Sequence, residues 1–229
     1  MDFGFSEEQE MLRESARGLL EKECPSTAVR RLMDDNRGYD ADLWRKMADL
    51  GWTGLVVPEA YGGAGLSYVD LVLVLEEMGR VILPSPFIWT AMVAEAIKRA
   101  GSETLKQSLL TKIAAGDLIA SIAWMEPSGL WNADGITMPA HQSGDGFTLD
   151  GVKLFVNDAH IADFFLVAAR TGGKRGGGVT LFAIDAKRPG ITVTPLKTMD
   201  QTRKLGAAVL IFGGIARYYD GFAFRPEHL

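Results

Sequence analysis

The chain is poor in the residues that fasten a fold through sulfur or metal. One of its 229 residues is cysteine, Cys24, so no disulfide can form within it; that usage suits a reducing cytosol. The three histidines, His141, His160 and His228, stand far apart, and neither HExxH nor CxxC occurs. No metal-ligand spacing is therefore present. Long apolar runs are missing too, since charged residues interrupt each one before the roughly 18 residues of a membrane span. The opening MDFGFSEEQE is acidic, where a signal peptide is basic and then apolar. Lys+Arg number 24 against 29 Asp+Glu, for a net charge of −5, and no basic cluster stands out. Nucleic acid needs a concentrated positive surface to displace its counterions. These absences predict a cytoplasmic protein with no metal, no membrane partner and no nucleic-acid partner.

What is present falls into two halves with different periods. At 47% hydrophobic and 23% charged, the chain can bury one large core or two smaller ones. Ser6 followed by Gln9 makes a capping box, with Phe5 placed as a hydrophobic staple. Met11, Leu12, Ala16, Leu19 and Leu20 then recur at helical spacing. Further helices are expected over 25–34, 41–50, 67–80, 85–101 and 102–116, each opened by a Ser or Pro or closed by a Gly. The helix from Ser67 is apolar on nearly all sides and is expected at the buried centre. Between helices, GLVVPEAYGGAGLS reads as a loop. Gly62, Gly63 and Gly65 in it lack the GK[ST] of a phosphate loop.

After Asp117 short apolar stretches alternate with Gly, Asp and Pro. Strands are expected over 118–125, 146–149, 152–156, 164–169, 179–184 and 191–195, with turns at Asp145-Gly146 and Asp150-Gly151. The stretch TGGKRGGG at 171–178 reads as a hairpin tip. The pattern predicts an α+β chain: an all-α domain over 1–117, then a small antiparallel β-barrel or sandwich over 118–206. Residues 207–229 form an unassigned tail.

One segment of the β half raises a chemical question. Residues 122–135 read IAWMEPSGLWNADG, an apolar strand stopped by an acid and a proline. Such a pair can simply end a strand, with the acid as a solvated cap, because proline lacks a ladder N–H. It can also hold a backbone edge open to a flat ligand. His160 has no nucleophile spaced near it, and Arg203 serves equally as an ion-pair partner.

The order of these features resembles the acyl-CoA dehydrogenase family. The resemblance is carried by FSEEQEMLRESARGLLEKE, LWRKMADLGWTGLVVPEAYGGAGLSYVDLVLVLEEMGR, AAGDLIASIAWMEP, LDGVKLFVNDAHIADFFLVAART and PLKTMDQTRKLG, from Asp2 to Gly206. It implies a helical domain, a β-domain and a second helical domain, with FAD between the last two. A thioester stacks on the flavin, a carboxylate removes the α-proton, and hydride passes to the flavin from the β-carbon. By position, Trp124, Met125, Glu126, Ser128 and Trp131 fall where the family lays a strand edge and turn along the flavin. Phe155, Val156 and Asn157 fall where an aromatic and a hydroxyl residue flank it.

The departures from the family pattern lie at that edge. Met125 stands for a threonine, Leu130-Trp131-Asn132 for Gly-Ser-Asp, and Asn157 for a further hydroxyl residue. Each lost donor costs roughly 0.5–1.5 kcal/mol, so FAD is expected to be weakly held or absent in this chain alone. The family's base is a glutamate of the second helical domain, for which AAVLIFGGIARYYDGFAFRPEHL shows no counterpart; an altered or truncated terminus is expected, a genuinely short family member being the other reading, and no catalytic residue is assigned. The resemblance implies an acyl-CoA substrate and a homo-oligomer, or a hetero-oligomer with another acyl-CoA dehydrogenase subunit. The alternative is a non-catalytic, flavin-poor subunit of such a heteromer.

Overall fold

The computed structural model describes residues 4–144, 146–172 and 178–211. Six helices come first: α1 (Glu7–Glu23), α2 (Ser26–Asp34), α3 (Ala41–Asp49), α4 (Tyr68–Arg80), α5 (Phe87–Ala100) and α6 (Glu103–Ala114). Seven strands follow: β1 (Ala120–Ala123), β2 (Ala140–Ser143), β3 (Gly146–Asn157), β4 (Phe164–Arg170), β5 (Val179–Asp185), β6 (Ile191–Leu196) and β7 (Leu205–Ile211). Helix starts obey local chemistry. The Ser6–Gln9 and Ser67–Asp70 capping boxes are both formed, and the Asp40 carboxylate accepts from the Asp42 and Leu43 N–H groups.

The strands form two open sheets, ordered β1-β4-β5 and β2-β3-β7-β6, and neither closes into a barrel. Most pairs are antiparallel, but β1 runs parallel to β4. The intervening chain builds β2 and β3 in the other sheet before returning. β4 is the shared wall. Its successive side chains point to opposite faces, so Phe164 and Leu166 join α5 and α6 while Phe165, Val167 and Ala169 fill the space between the sheets. A third cluster sits among the helices around Leu20, Trp44, Met47, Trp52 and Val74. Thr90 of α5 ties the helical part to β1, its hydroxyl donating to the Ala120 carbonyl and accepting the Ala120 N–H, both at 3.2 Å.

Three expectations change. Asp150-Gly151 is not a hairpin turn: β3 runs straight through it, paired with Leu210 and Ile211 of β7. A Cβ added at Gly151 would lie 2.9 Å from Cε at the flexible end of Met138. Ser143 pairs with Gly146 where β2 passes to β3; Asp145 of the expected Asp145-Gly146 turn lies outside the described residues, as do 173–177 of the expected hairpin tip. The ordered β structure also continues past Gly206, since β7 reaches Ile211 between β3 and β6; the rest of the tail is outside the described residues. Finally, α4 buries only Leu73, Val74, Glu77 and Met78, leaving Val69 and Val72 exposed. Its polar core position is filled by Glu77, which takes two bonds from Arg17.

Candidate functional site

β1 ends at Ala123, and the chain continues alongside β3. The Leu154 N–H donates to the Met125 carbonyl at 2.8 Å. At that point the register of β3 against β7 shifts between Lys153 and Val156. A bulge of this kind bends a strand and re-aims a side chain. Here it puts Phe155 in left-handed backbone at φ +52°, 48% exposed, while Val156 returns to the core. A left-handed aromatic residue costs on the order of 1–3 kcal/mol and persists only where its surroundings impose it.

Beneath this edge lies a buried ion pair. The Lys153 ammonium is fully enclosed and donates to Glu126 Oε1 at 2.6 Å and to the Trp124 carbonyl at 3.2 Å. Glu126 also accepts from the Thr137 hydroxyl, the Thr137 N–H at 2.8 Å and the Met138 N–H at 3.0 Å. Burial pushes the Glu126 carboxyl up, but Lys153, Thr137 and the two N–H groups outweigh it and hold it below the usual carboxylate value. Burial drives Lys153 below the usual lysine value despite its partner. Glu126 is therefore neither a solvated cap nor a group free to meet a ligand. Its side chain points inward because only there do enough donors exist to replace water.

Around the pair, Met125 is buried, and the Trp124 indole Nε1–H is buried with no hydrogen-bond partner among the described residues. Gly129 N–H donates to the Glu126 carbonyl and closes a turn in which the Ser128 hydroxyl accepts from Leu130 N–H at 3.4 Å. Trp131 follows, 71% exposed. Arg170 holds the next stretch through the Ile136 and Ala133 carbonyls at 2.7 and 2.6 Å. Gly135 is obligatory there, since a Cβ would lie 2.6 Å from the Leu130 carbonyl oxygen. The Asn157 side-chain amide donates to the Phe155 carbonyl at 3.4 Å, and the Asn157 backbone carbonyl accepts from the Ser121 hydroxyl. Direct bonds thus join Trp124, Met125 and Glu126 to the Lys153–Phe155 bulge and Asn157 to Phe155. Sequence reasoning missed Lys153, Thr137 and Met138.

His160 and Arg203 hold the chain together. His160 Nε2 meets the Arg37 carbonyl at 2.9 Å, and Arg203 donates to the Ser85 carbonyl at 3.5 Å. Asp158, in left-handed backbone at φ +53°, is buried, and burial raises its carboxyl to about 6 against the opposing pull of Arg203. A raised carboxyl stabilises fully below its unfolded value near 3.8, and the benefit is lost as pH rises through about 6. Asn tolerates the same backbone. Asp158→Asn is therefore expected to stabilise the chain by about 1–3 kcal/mol at pH 7.5 and to change nothing at pH 4. Urea unfolding at the two pH values checks this; an equal effect at both would remove the buried carboxylate as its cause.

The edge carries the exposed side chains of Phe155 and Trp131 and a buried indole N–H with no partner among the described residues. It lacks the hydroxyl donors that a threonine at 125 or a serine at 131 would bring. The FAD implied by the resemblance fits the aromatic surface of this set and finds fewer polar partners.

Comparison with known proteins agrees with this architecture. The model for "Acyl-CoA dehydrogenase, N-terminal domain" matches residues 6–117, and that for "Acyl-CoA dehydrogenase, middle domain" matches residues 121–214. The chain is 29% identical over 199 residues to the probable acyl-CoA dehydrogenase YngJ of Bacillus subtilis, covering 85% of this chain and 52% of that one. It is 31% identical over 205 residues to acyl-CoA dehydrogenase IpdE2 of Mycolicibacterium smegmatis, covering 89% and 52%. Among solved structures, acyl-CoA dehydrogenase from Geobacillus kaustophilus superposes with TM-score 0.85 at 26% identity, over 98% of this chain and 60% of that one. The ChsE4-ChsE5 complex from Mycobacterium tuberculosis gives 0.84 at 29%, over 97% and 59%. The chain belongs to the acyl-CoA dehydrogenase family. It spans about half the length of the curated relatives it matches, and no described helix is long and apolar enough to cross a membrane.

Proposed function

We propose that this chain supplies the helical wall and the flavin-facing β edge of an acyl-CoA dehydrogenase that oxidises an acyl-CoA thioester at its Cα–Cβ bond. The observation that carries the proposal is the bulge that holds Phe155 outward beside the Trp124–Glu126 strand edge. FAD bound at this edge would supply a hydride acceptor. Phe155 and Trp131 offer it aromatic faces, Asn157 an amide donor, and Trp124 an indole N–H that the described residues leave unpaired. Met125 gives only apolar contact. On this reading the complete assembly is a cytoplasmic oxidoreductase of lipid degradation, built as a homo-oligomer or with a second acyl-CoA dehydrogenase subunit.

Met125 also favours a second reading, in which the chain is the flavin-poor partner of a heteromer and shapes a substrate cleft without holding flavin. A visible absorption spectrum of the purified chain separates the two. After incubation with FAD and gel filtration, we expect well under stoichiometric flavin. A full complement of yellow flavin would overturn the expectation of weak binding. Where flavin binding is measurable, Phe155→Ala and Trp131→Ala should each weaken it roughly 2- to 12-fold, from the 0.5–1.5 kcal/mol of an aromatic stacking contact. Unchanged affinity in both would take these positions out of the site.

A further inference from the structure

The ion pair under the edge does something that its stabilising role does not require. An ammonium satisfied by Glu126 alone would still close the charge. Lys153 also reaches the Trp124 carbonyl, on the strand edge itself, while its own neighbour Leu154 grips the Met125 carbonyl. Two consecutive residues of the bulging strand thus hold two consecutive carbonyls of the opposite edge. Glu126 extends the clamp to Thr137 and Met138, beyond the turn that carries Trp131. All of this lies next to a left-handed Phe155, which needs neighbours to impose its backbone.

We propose that Lys153 is a positioning residue, whose ammonium pins the Trp124–Glu126 edge to the β3 bulge and so sets the distance and tilt of Phe155 for a planar ligand. The ligand class rests on the flavin-edge reading above; the clamp itself does not. The Lys153 side chain is fully enclosed. It acts through Trp124 and Leu154.

Amide hydrogen exchange on the full 229-residue chain separates positioning from bulk stability. In Lys153→Met, exchange at the Leu154 amide should accelerate by at least tenfold relative to the amides of β4 and β5, which sit in the other sheet. The double variant Glu126→Gln/Lys153→Met removes the unpaired charge and should return the global unfolding midpoint toward wild type. It should leave Leu154 unprotected, because Trp124 still lacks its ammonium. Lys153→Gln, which keeps a donor for that carbonyl without the charge, should recover part of the protection and serves if the methionine variant does not fold. Uniform acceleration across both sheets, or full recovery of Leu154 in the double variant, would overturn the assignment.

Titration with FAD, followed by its fluorescence, is the second arm. Where the wild type binds, the double variant should bind up to roughly 12-fold more weakly, as Phe155→Ala does, despite its recovered midpoint, and equal affinity would count against positioning. A wild type that binds no FAD favours the flavin-poor reading, and the exchange result then decides the clamp by itself.

Discussion

Lys153→Met lowers the unfolding free energy of the chain by about 3–5 kcal/mol at pH 7, the cost of leaving one member of a buried ion pair alone. The size follows from burial. Glu126 and Lys153 both sit out of reach of solvent, so the stranded carboxylate can recover no hydration. A typical domain is stable by only about 5–15 kcal/mol, so this one change removes a large fraction. The pH dependence supplies a sharper check. In the wild type Glu126 lies below the ordinary carboxylate value, so its contribution is present above that value and lost as pH falls through the lowered one. Without the ammonium the main opponent of burial is gone and the carboxyl moves up. Its contribution then changes sign, and the variant should gain stability relative to wild type between pH 7 and pH 4.5. Urea unfolding across that range decides the matter. A constant difference, or one that widens on acidification, would sink the account.

This pair also marks where sequence reasoning stops. Helices are legible because their caps are local: Ser6 with Gln9 and Asp40 beside its own helix need no distant partner. Ser67 marks the start of α4 but not its exposure, because how much of an apolar helix is covered depends on neighbours that a linear pattern does not contain. The Asp150-Gly151 turn fails for the same reason. Asp150 and Gly151 pair with Ile211 and Leu210 of β7, a tertiary demand that outranks turn propensity. Lys153 is nevertheless within reach. It lies four residues from the buried Leu149 within one strand, and an even separation puts both on the same face. Such a lysine needs an acid, and the unexplained Glu126 is available. The left-handed backbone of Phe155 carries no comparable signal, since a bulge is set by the strands on either side.

The 229-residue chain alone is expected to show no acyl-CoA-dependent reduction of an artificial electron acceptor with any chain length. Proton removal at Cα needs a base within about 2.6–3.2 Å of its target, or one water away. The carboxylates described near the edge are not placed for that work. Glu126 spends its oxygens on Lys153, Thr137 and Met138. Asp158 is buried within the influence of Arg203, and Asp134 sits exposed in a short 3₁₀ turn. Losing general-base assistance costs roughly 10²–10⁴ in rate, and weak flavin occupancy multiplies that loss. On the proposed function, a second acyl-CoA dehydrogenase subunit or a fused C-terminal helical domain that brings a carboxylate should restore turnover. In that restored assembly Glu126→Gln should reduce activity only in step with the folded fraction, whereas removing the incoming carboxylate should reduce it by at least two orders of magnitude. Turnover by this chain alone that disappears in Glu126→Gln at an unchanged folded fraction would overturn both the proposed origin of the base and the non-catalytic role of Glu126.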